Sequence, residues 1–391
     1  MKNKILLVFI LCLLVCGCGN YRELNDVAIV TGVSINKAHD EYELGFLIAN
    51  SPKAQTASKE GEAQTTVYSA KGKTISEAAE HIEYKSPKKL YLGHINVVII
   101  SEDIGKDGFF KVADYLLRHF ESRKRFFLMQ TKEDDPKNIL KIVSPLESFP
   151  SQNIATLLKS NQEAQSVVET VDYSTFVGRI LEKGYDPILP VITISGNTEK
   201  GEKNKNVEST QPEAYLRLDS IAIYRNDKFK GYENFKQSQA INIINNNVNE
   251  FKTAFKYKNN YIGFNSETFK TNIKINSVSN LELNITGKGF ITEINTNDNL
   301  ESIKTIAKME KKLNSSIKNM ITKTITKMQK EYHSDVFGFG NKIYKKYPNK
   351  WGKIEKNWND IYFPNLNIKI NVKVVINSSG ALNKTIKEVQ Q

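Results

Sequence analysis

Apolar and polar positions alternate along this chain in two periods, and the places where the period changes divide it into elements. VAIVTGVSI (27 to 35) and YELGFLIAN (42 to 50) are β-rich runs around a polar turn and predict a hairpin. The small, polar stretch SPKAQTASKEGEAQ (51 to 64) predicts a loop or flap. After TTVYSAKGKT, Thr74 followed three residues later by Glu77 is the signature of a capping box and predicts a helix start. INVVIIS (95 to 101) is an almost unbroken apolar strand, and the helical pattern GFFKVADYLLRHFES separates it from RFFLMQT. Strand, helix and strand with short connections predict a βαβ unit buried on both faces. Helical patterns near 150 to 160 and 172 to 183 precede the strand PILPVITIS.

Between Gly196 and Glu213 every strongly apolar residue except Val207 disappears, which predicts a boundary. Beyond it, DSIAIYRNDKFKGY predicts a hairpin around Asn226-Asp227, and a helix follows from near Glu233. Residues 251 to 294 are β-rich, with clean alternation in LELNITGKGFITEI. From 298 to 331, Leu300, Ile303, Ile306, Met309, Leu313, Ile317, Ile321, Ile325 and Met328 recur every three or four residues. That stripe predicts an amphipathic helix of about 50 Å, able to rest on its own sheet, form a coiled-coil seam or lie on a membrane. A second helical stretch around 340 to 358 leads into the alternating strand NLNIKINVKVVIN. The fold class is therefore α+β and multidomain: an N-terminal mixed α/β sheet domain over 18–195, a linker over 196–212, and a C-terminal α+β domain with a long amphipathic helix over 213–391.

The first residues change this picture. Ile5 to Val15 is an uncharged run of 11 residues behind Lys2 and Lys4. As a helix it covers about 16 Å, half of a bilayer core, so it reads as an export signal and not as a span. In Val15-Cys16-Gly17-Cys18, an aliphatic residue stands three places and a glycine one place before Cys18, as in a bacterial lipobox. Cys12 and Cys16 follow bulky residues and do not fit. The expectation is a signal peptide over 1–17 and lipid attachment at Cys18. Cleavage there removes the other two cysteines, so the mature chain has no disulfide and depends on its core. A diacylglycerol thioether anchors it to the membrane.

The net charge of +12 falls to +10 without Lys2 and Lys4, and is spread as single lysines with no block of like charges. It reads mostly as solvated surface, with some attraction to anionic headgroups. An export signal argues against a nucleic-acid partner.

Candidate chemistry is sparse. The five histidines, at 39, 81, 94, 119 and 333, include no pair at metal-ligand spacing, and no metal or cofactor is expected. Gly338-Phe339-Gly340 opens like a dinucleotide fingerprint, but Ile343 occupies the third glycine position and a helix precedes it, so it reads as a turn. Glu133-Asp134-Asp135 precedes Pro136 and reads as a helix start. His94, between Gly93 and a strand, reads as structural. No catalytic residue stands out, which favours an interaction protein over an enzyme.

These residues together resemble the Ger(x)C spore germination lipoproteins, the C subunits of nutrient germinant receptors. The resemblance begins at Cys18-Gly19-Asn20-Tyr21-Arg22-Glu23-Leu24-Asn25-Asp26, continues at YLGHINVVIISEDIGKDG and DYLLRHFESRKRFF, and is strongest from KEYHSDVFGFGNK onward, with Asp335, Gly338-Phe339-Gly340, Tyr347-Pro348, Trp351 and Trp358. The chain departs from the pattern where Gly19-Asn20 stand in place of a tryptophan directly after the cysteine. The resemblance implies a non-catalytic subunit anchored on the outer surface of the spore inner membrane, partnered by an A subunit and a permease-like B subunit, with an α+β architecture of two or three subdomains. Two other classes are distinguishable. A solute-binding lipoprotein capturing a small nutrient needs a ligand-sized pocket. A cell-wall hydrolase needs a carboxylate pair facing a cleft.

Overall fold

A computed structural model describes residues 27–50, 63–119, 125–208, 210–294, 298, 300 and 302–378. Cys18, most of the 51–64 loop and the last residues of the chain lie outside the described residues.

Among the described residues, the larger of two sheets has nine strands. β1 (Val27–Ala38) and β2 (Glu41–Ala49) form the expected hairpin, with His39 in the left-handed region at the turn. β3 (Thr65–Gly72) completes an antiparallel flank. Helix α1 (Ile75–Glu83) starts at the capping box: Thr74 Oγ1 accepts from the Glu77 amide at 3.1 Å, and the Glu77 carboxylate reaches back to the Lys73 amide at 2.6 Å. β4 (Lys89–Tyr91) pairs with the start of β1. β5 (Val97–Ile100), then α2 (Glu102–Asp107), α3 (Phe110–His119) and β6 (Phe127–Thr131), make the predicted βαβ unit, with β5 and β6 parallel. Val98 and Ile100 point into a core under α1 and α3, while Val97 and Ile99 point into the core on the other face. Burial on both faces is why this strand shows no polar alternation.

Helices α4 (Pro150–Gln165) and α5 (Tyr173–Leu181) cover opposite faces before β7 (Ile188–Gly196) joins beside β6. The segment expected as a linker carries two one-turn helices, Thr198–Gly201 and Lys205–Glu208, and does not part the sheets. Buried Asn206 ties it to the Ala214 backbone and to the Val143 carbonyl. The strand after it, β8 (Ala214–Arg225), pairs antiparallel with β7, and β9 (Lys228–Glu233) pairs with β8. The order is β3-β2-β1-β5-β6-β7-β8-β9, so the sheet is built from both sides of that segment.

Helix α6 (Phe235–Asn245) then leads to the second sheet, β10 (Lys252–Tyr257), β11 (Asn260–Ser277), β12 (Asn280–Glu293) and β13 (Asn367–Ser378), in that order. β12 and β13 are parallel because a helical crossover joins them. Its main helix, α7 (Ile303–Lys327), is about 38 Å long, shorter than the periodicity suggests, and a π-helical turn over Met328–Tyr332 closes it. Met309, Leu313, Ile317, Ile321 and Ile325 are buried in the common core, so the helix rests on its own sheet. Its side chains also cap the exposed edge of β13: Asn314 exchanges two hydrogen bonds with Val374, and the Glu310 carboxylate accepts from the Ile376 amide. This covers an edge that would otherwise offer free amides and carbonyls. Helices α8 (Phe339–Lys346) and α9 (Pro348–Ile354) complete the crossover. Among the described residues no helix is long and apolar enough to cross a membrane.

Candidate functional site

The residues that the sequence singles out near the C-terminus converge where the two sheets meet. The stretch from Glu182 to Pro187 turns into β7, with Gly184 at φ +65°. Against it lies the connection from α7 to α8, where Gly338 is also left-handed at φ +65°. The backbones approach so closely that a Cβ on Gly184 would stand 2.5 Å from the Trp351 ring and 2.6 Å from the Gly340 Cα. A Cβ on Gly340 would meet the Trp358 ring at 2.7 Å and Gly184 at 2.8 Å. Gly338-Phe339-Gly340 is thus a turn between helices and, in addition, a point of close backbone approach to the 182–187 turn.

Two buried aspartates bind this contact. Asp186 and Asp335 are joined through the backbone: the Asp186 amide donates to the Asp335 carbonyl at 3.0 Å. In return the Asp335 amide donates to the Asp186 carboxylate at 2.8 Å. Asp186 also accepts from the Asn226 amide at the β8–β9 turn (2.7 Å) and from Asn359 Nδ2 (2.9 Å). Asp335 accepts from the amides of Phe339 (3.1 Å) and Gly340 (2.7 Å) and from Trp358 Nε1 (3.0 Å). Burial pushes the Asp335 carboxyl up to about 7; its donors pull the other way, and the neighbouring Asp186 adds to the rise. Burial raises Asp186 too, against the pull of its three donors.

Around the pair, Trp351 and Trp358 pack at 5.2 Å between ring centroids, and Trp358 packs on Phe363. Ser334 donates to the Tyr224 carbonyl at 2.6 Å, and the Asn341 amide donates to the Gly184 carbonyl at 3.0 Å. At the rim Arg225 pairs with Asp360 and Lys183 with Glu355. Behind it, the Arg179–Glu169 ion pair at 2.6 Å is buried, with Tyr185 under the guanidinium and Asn247 donating to Glu169. Every oxygen of the two carboxylates is engaged with the protein itself, and neither faces a cleft. The arrangement therefore fastens chain segments together and lacks the open geometry that a hydrolase needs.

Of the other sequence candidates, Asp135 caps the one-turn helix Pro136–Ile139, and Asp134 accepts from the Ile194 amide. His94 is exposed, with its ring edge against Tyr91. Among the described residues no group of three or more His, Cys, Asp or Glu is placed to hold a metal ion. Asp186 and Asn226 were not legible as site residues. The available signal was an aspartate beside proline at the entry to an apolar strand, which reads equally well as a turn.

Comparison with known proteins addresses both parts of the chain. Residues 20–194 match the spore germination protein N-terminal domain family, and residues 219–380 match the family described as spore germination B3/GerAC like, C-terminal. The chain is 27% identical to spore germination protein KC of Bacillus subtilis over 95% of its length and 94% of the relative's. It is 23% identical to spore germination protein GerQC of Bacillus cereus, covering 97% of this chain and 99% of that one. Among solved structures, the crystal structure of the GerBC protein matches with a TM-score of 0.52 and 16% identity over 89% of this chain and 96% of that chain, a likeness of fold.

Proposed function

The chain belongs to the Ger(x)C family of spore germination proteins, and on that premise we propose that it is the membrane-anchored, non-catalytic C subunit of a nutrient germinant receptor. In this reading a diacylglycerol on Cys18 holds residues 18–195 and 213–391, the N- and C-terminal Ger(x)C-like regions, at the outer surface of the spore inner membrane. Tethering makes docking on the A and B subunits effectively intramolecular, so modest contacts suffice for assembly.

The observation that carries the reading is the match of both parts of the chain, in order and at nearly full length, to proteins named for spore germination. The joint supports it, since Asp335, Gly340, Trp351 and Trp358 act on one another and on the 182–187 turn. A subunit that transmits a signal between partners gains from such a fixed body. The test is dipicolinic acid release from nutrient-treated spores lacking the gene, complemented with wild type or Cys18→Ala. Loss of release on deletion, restored by wild type and not by Cys18→Ala, is expected. Release that survives deletion for every nutrient and in the absence of every paralogue would overturn the reading.

A further inference from the structure

The charge that looks dispersed in the sequence is gathered by the fold. The 60 residues from Ile303 to Tyr362 hold 14 lysines against five acids, and one of those acids, Asp335, is buried. Lys308, Lys311 and Lys312 on the first turns of α7 face Lys256 and Lys258 at the β10–β11 turn across a groove of about 740 Å³. All five are exposed, and among the described residues only Lys258 is ion-paired, to Asp298 at 2.5 Å. Like charges collected in one groove repel one another unless an anion answers them.

Two exposed apolar side chains accompany the lysines. Tyr261, 66% exposed, is the cross-strand partner of Lys256 and so shares its face of the sheet. Ile303, 86% exposed, opens the helix that carries Lys308, Lys311 and Lys312. Lysines that share a strand pair with an exposed aromatic and a helix with an exposed aliphatic residue match the boundary between lipid headgroups and acyl chains, where cations meet phosphates and apolar tips enter the interface. We propose that this lysine groove, with Tyr261 and Ile303, is the face that the protein lays on an anionic lipid surface. The proposal rests on the anchored reading above. From Cys18 to the start of β1 at Val27 the chain spans at most about 30 Å, which keeps the body beside the bilayer but leaves its orientation open. The groove would set that orientation.

The test uses the full lipidated chain on vesicles of phosphatidylcholine alone or mixed with phosphatidylglycerol, with amine-reactive labelling of individual lysines read by mass spectrometry. Expected is a several-fold fall in labelling of Lys256, Lys308, Lys311 and Lys312 on the anionic vesicles only, reversed by high salt, while exposed Lys71 and Lys203 are unchanged. The triple variant Lys308→Glu/Lys311→Glu/Lys312→Glu alters only exposed positions, and should leave Lys256 labelled equally on both vesicles. At about fivefold per lysine, it should weaken the anionic contact about 100-fold. Equal labelling on the two vesicles overturns the proposal, as does protection that appears only when the other receptor subunits are present. Failure of the chain to float with neutral vesicles would instead remove the lipid anchor. The groove is then judged by whether phosphatidylglycerol vesicles alone carry the chain into the float.

Discussion

Replacing Asp335 separates the cost of losing its hydrogen bonds from the cost of burying its charge. Asp335→Ala leaves three buried donors, Phe339 N, Gly340 N and Trp358 Nε1, without an acceptor. At about 1–3 kcal/mol for each orphaned group the loss is large, and the carboxylate's own burial cost, which is returned, offsets part of it. A net destabilisation of about 3–5 kcal/mol is expected. Asp335→Asn keeps one acceptor oxygen for the Gly340 and Trp358 donors and turns an amide group toward Phe339 N–H, so about 1–3 kcal/mol is expected. The two differ in pH dependence. Burial raises the folded-state value from the usual 3.8 to about 7. The folded protein therefore binds this proton more tightly than the unfolded chain does, and the associated stability is present below about pH 4 and lost as pH rises toward 7. Asparagine has no such term, so its deficit relative to wild type should shrink by about 2–3 kcal/mol between pH 5 and pH 8. Urea unfolding followed by tryptophan emission measures this directly, because both tryptophans of the chain, Trp351 and Trp358, stand at the joint. An asparagine deficit that stays flat from pH 5 to pH 8 would refute the reasoning, since it would mean that the three donors outweigh burial and hold the carboxylate ionised throughout that range.

Other substitutions test separate parts of the fold. Gly340→Ala places a methyl 2.7 Å from the Trp358 ring and 2.8 Å from Gly184 Cα, and should destabilise by at least about 1–3 kcal/mol with a shifted tryptophan emission maximum; unchanged emission and urea midpoint would contradict the close approach. Glu169→Ala strands the buried Arg179 guanidinium and should cost about 3–5 kcal/mol in urea unfolding, whereas the exposed pair Lys200–Glu213 should yield less than about 1 kcal/mol. Asn314→Ala removes both side-chain bonds to Val374, and should cost about 1–2 kcal/mol and accelerate hydrogen exchange at the Val374 amide.

Much of the fold is legible because its elements obey one period each. The capping box at Thr74 reports a helix start, the continuous run at 97–100 a strand covered on both faces and the stripe through Met309 and Ile325 a helix covered on one, and the structure supplies each. What the pattern could not convey is which sheet a strand joins. The polar segment 196–212 reads as a linker because it is poor in apolar residues, but that composition records exposure to solvent, and β8 beyond it returns to β7. The gathered lysines were hidden for a similar reason: Lys256 and Lys308 are far apart in the chain and meet only when β10 folds against α7.

The same logic explains why the site was half legible. Asp335, Gly338, Gly340 and Trp358 lie within a short span, so their spacing is a visible motif, whereas Asp186 and Asn226 contribute one residue each from distant turns. A motif of aspartate, glycines and tryptophans invites a search for chemistry, because such residues also build active sites. Here the partners decide otherwise. Asp186 is enclosed by three donors drawn from separate segments, and Asp335 by the Phe339 and Gly340 amides that follow it and by Trp358, so the energy of the pair depends on those segments staying in register. A buried acid with no access to solvent does little for a passing substrate and much for the relative position of two sheets. If partner subunits pull on the β10–β13 sheet, this joint is one of the connections that carry the displacement to the nine-stranded sheet, beside the shared core and the Lys327–Glu233 ion pair, and the rigidity of the Asp186–Asp335 connection contributes to how much of it arrives.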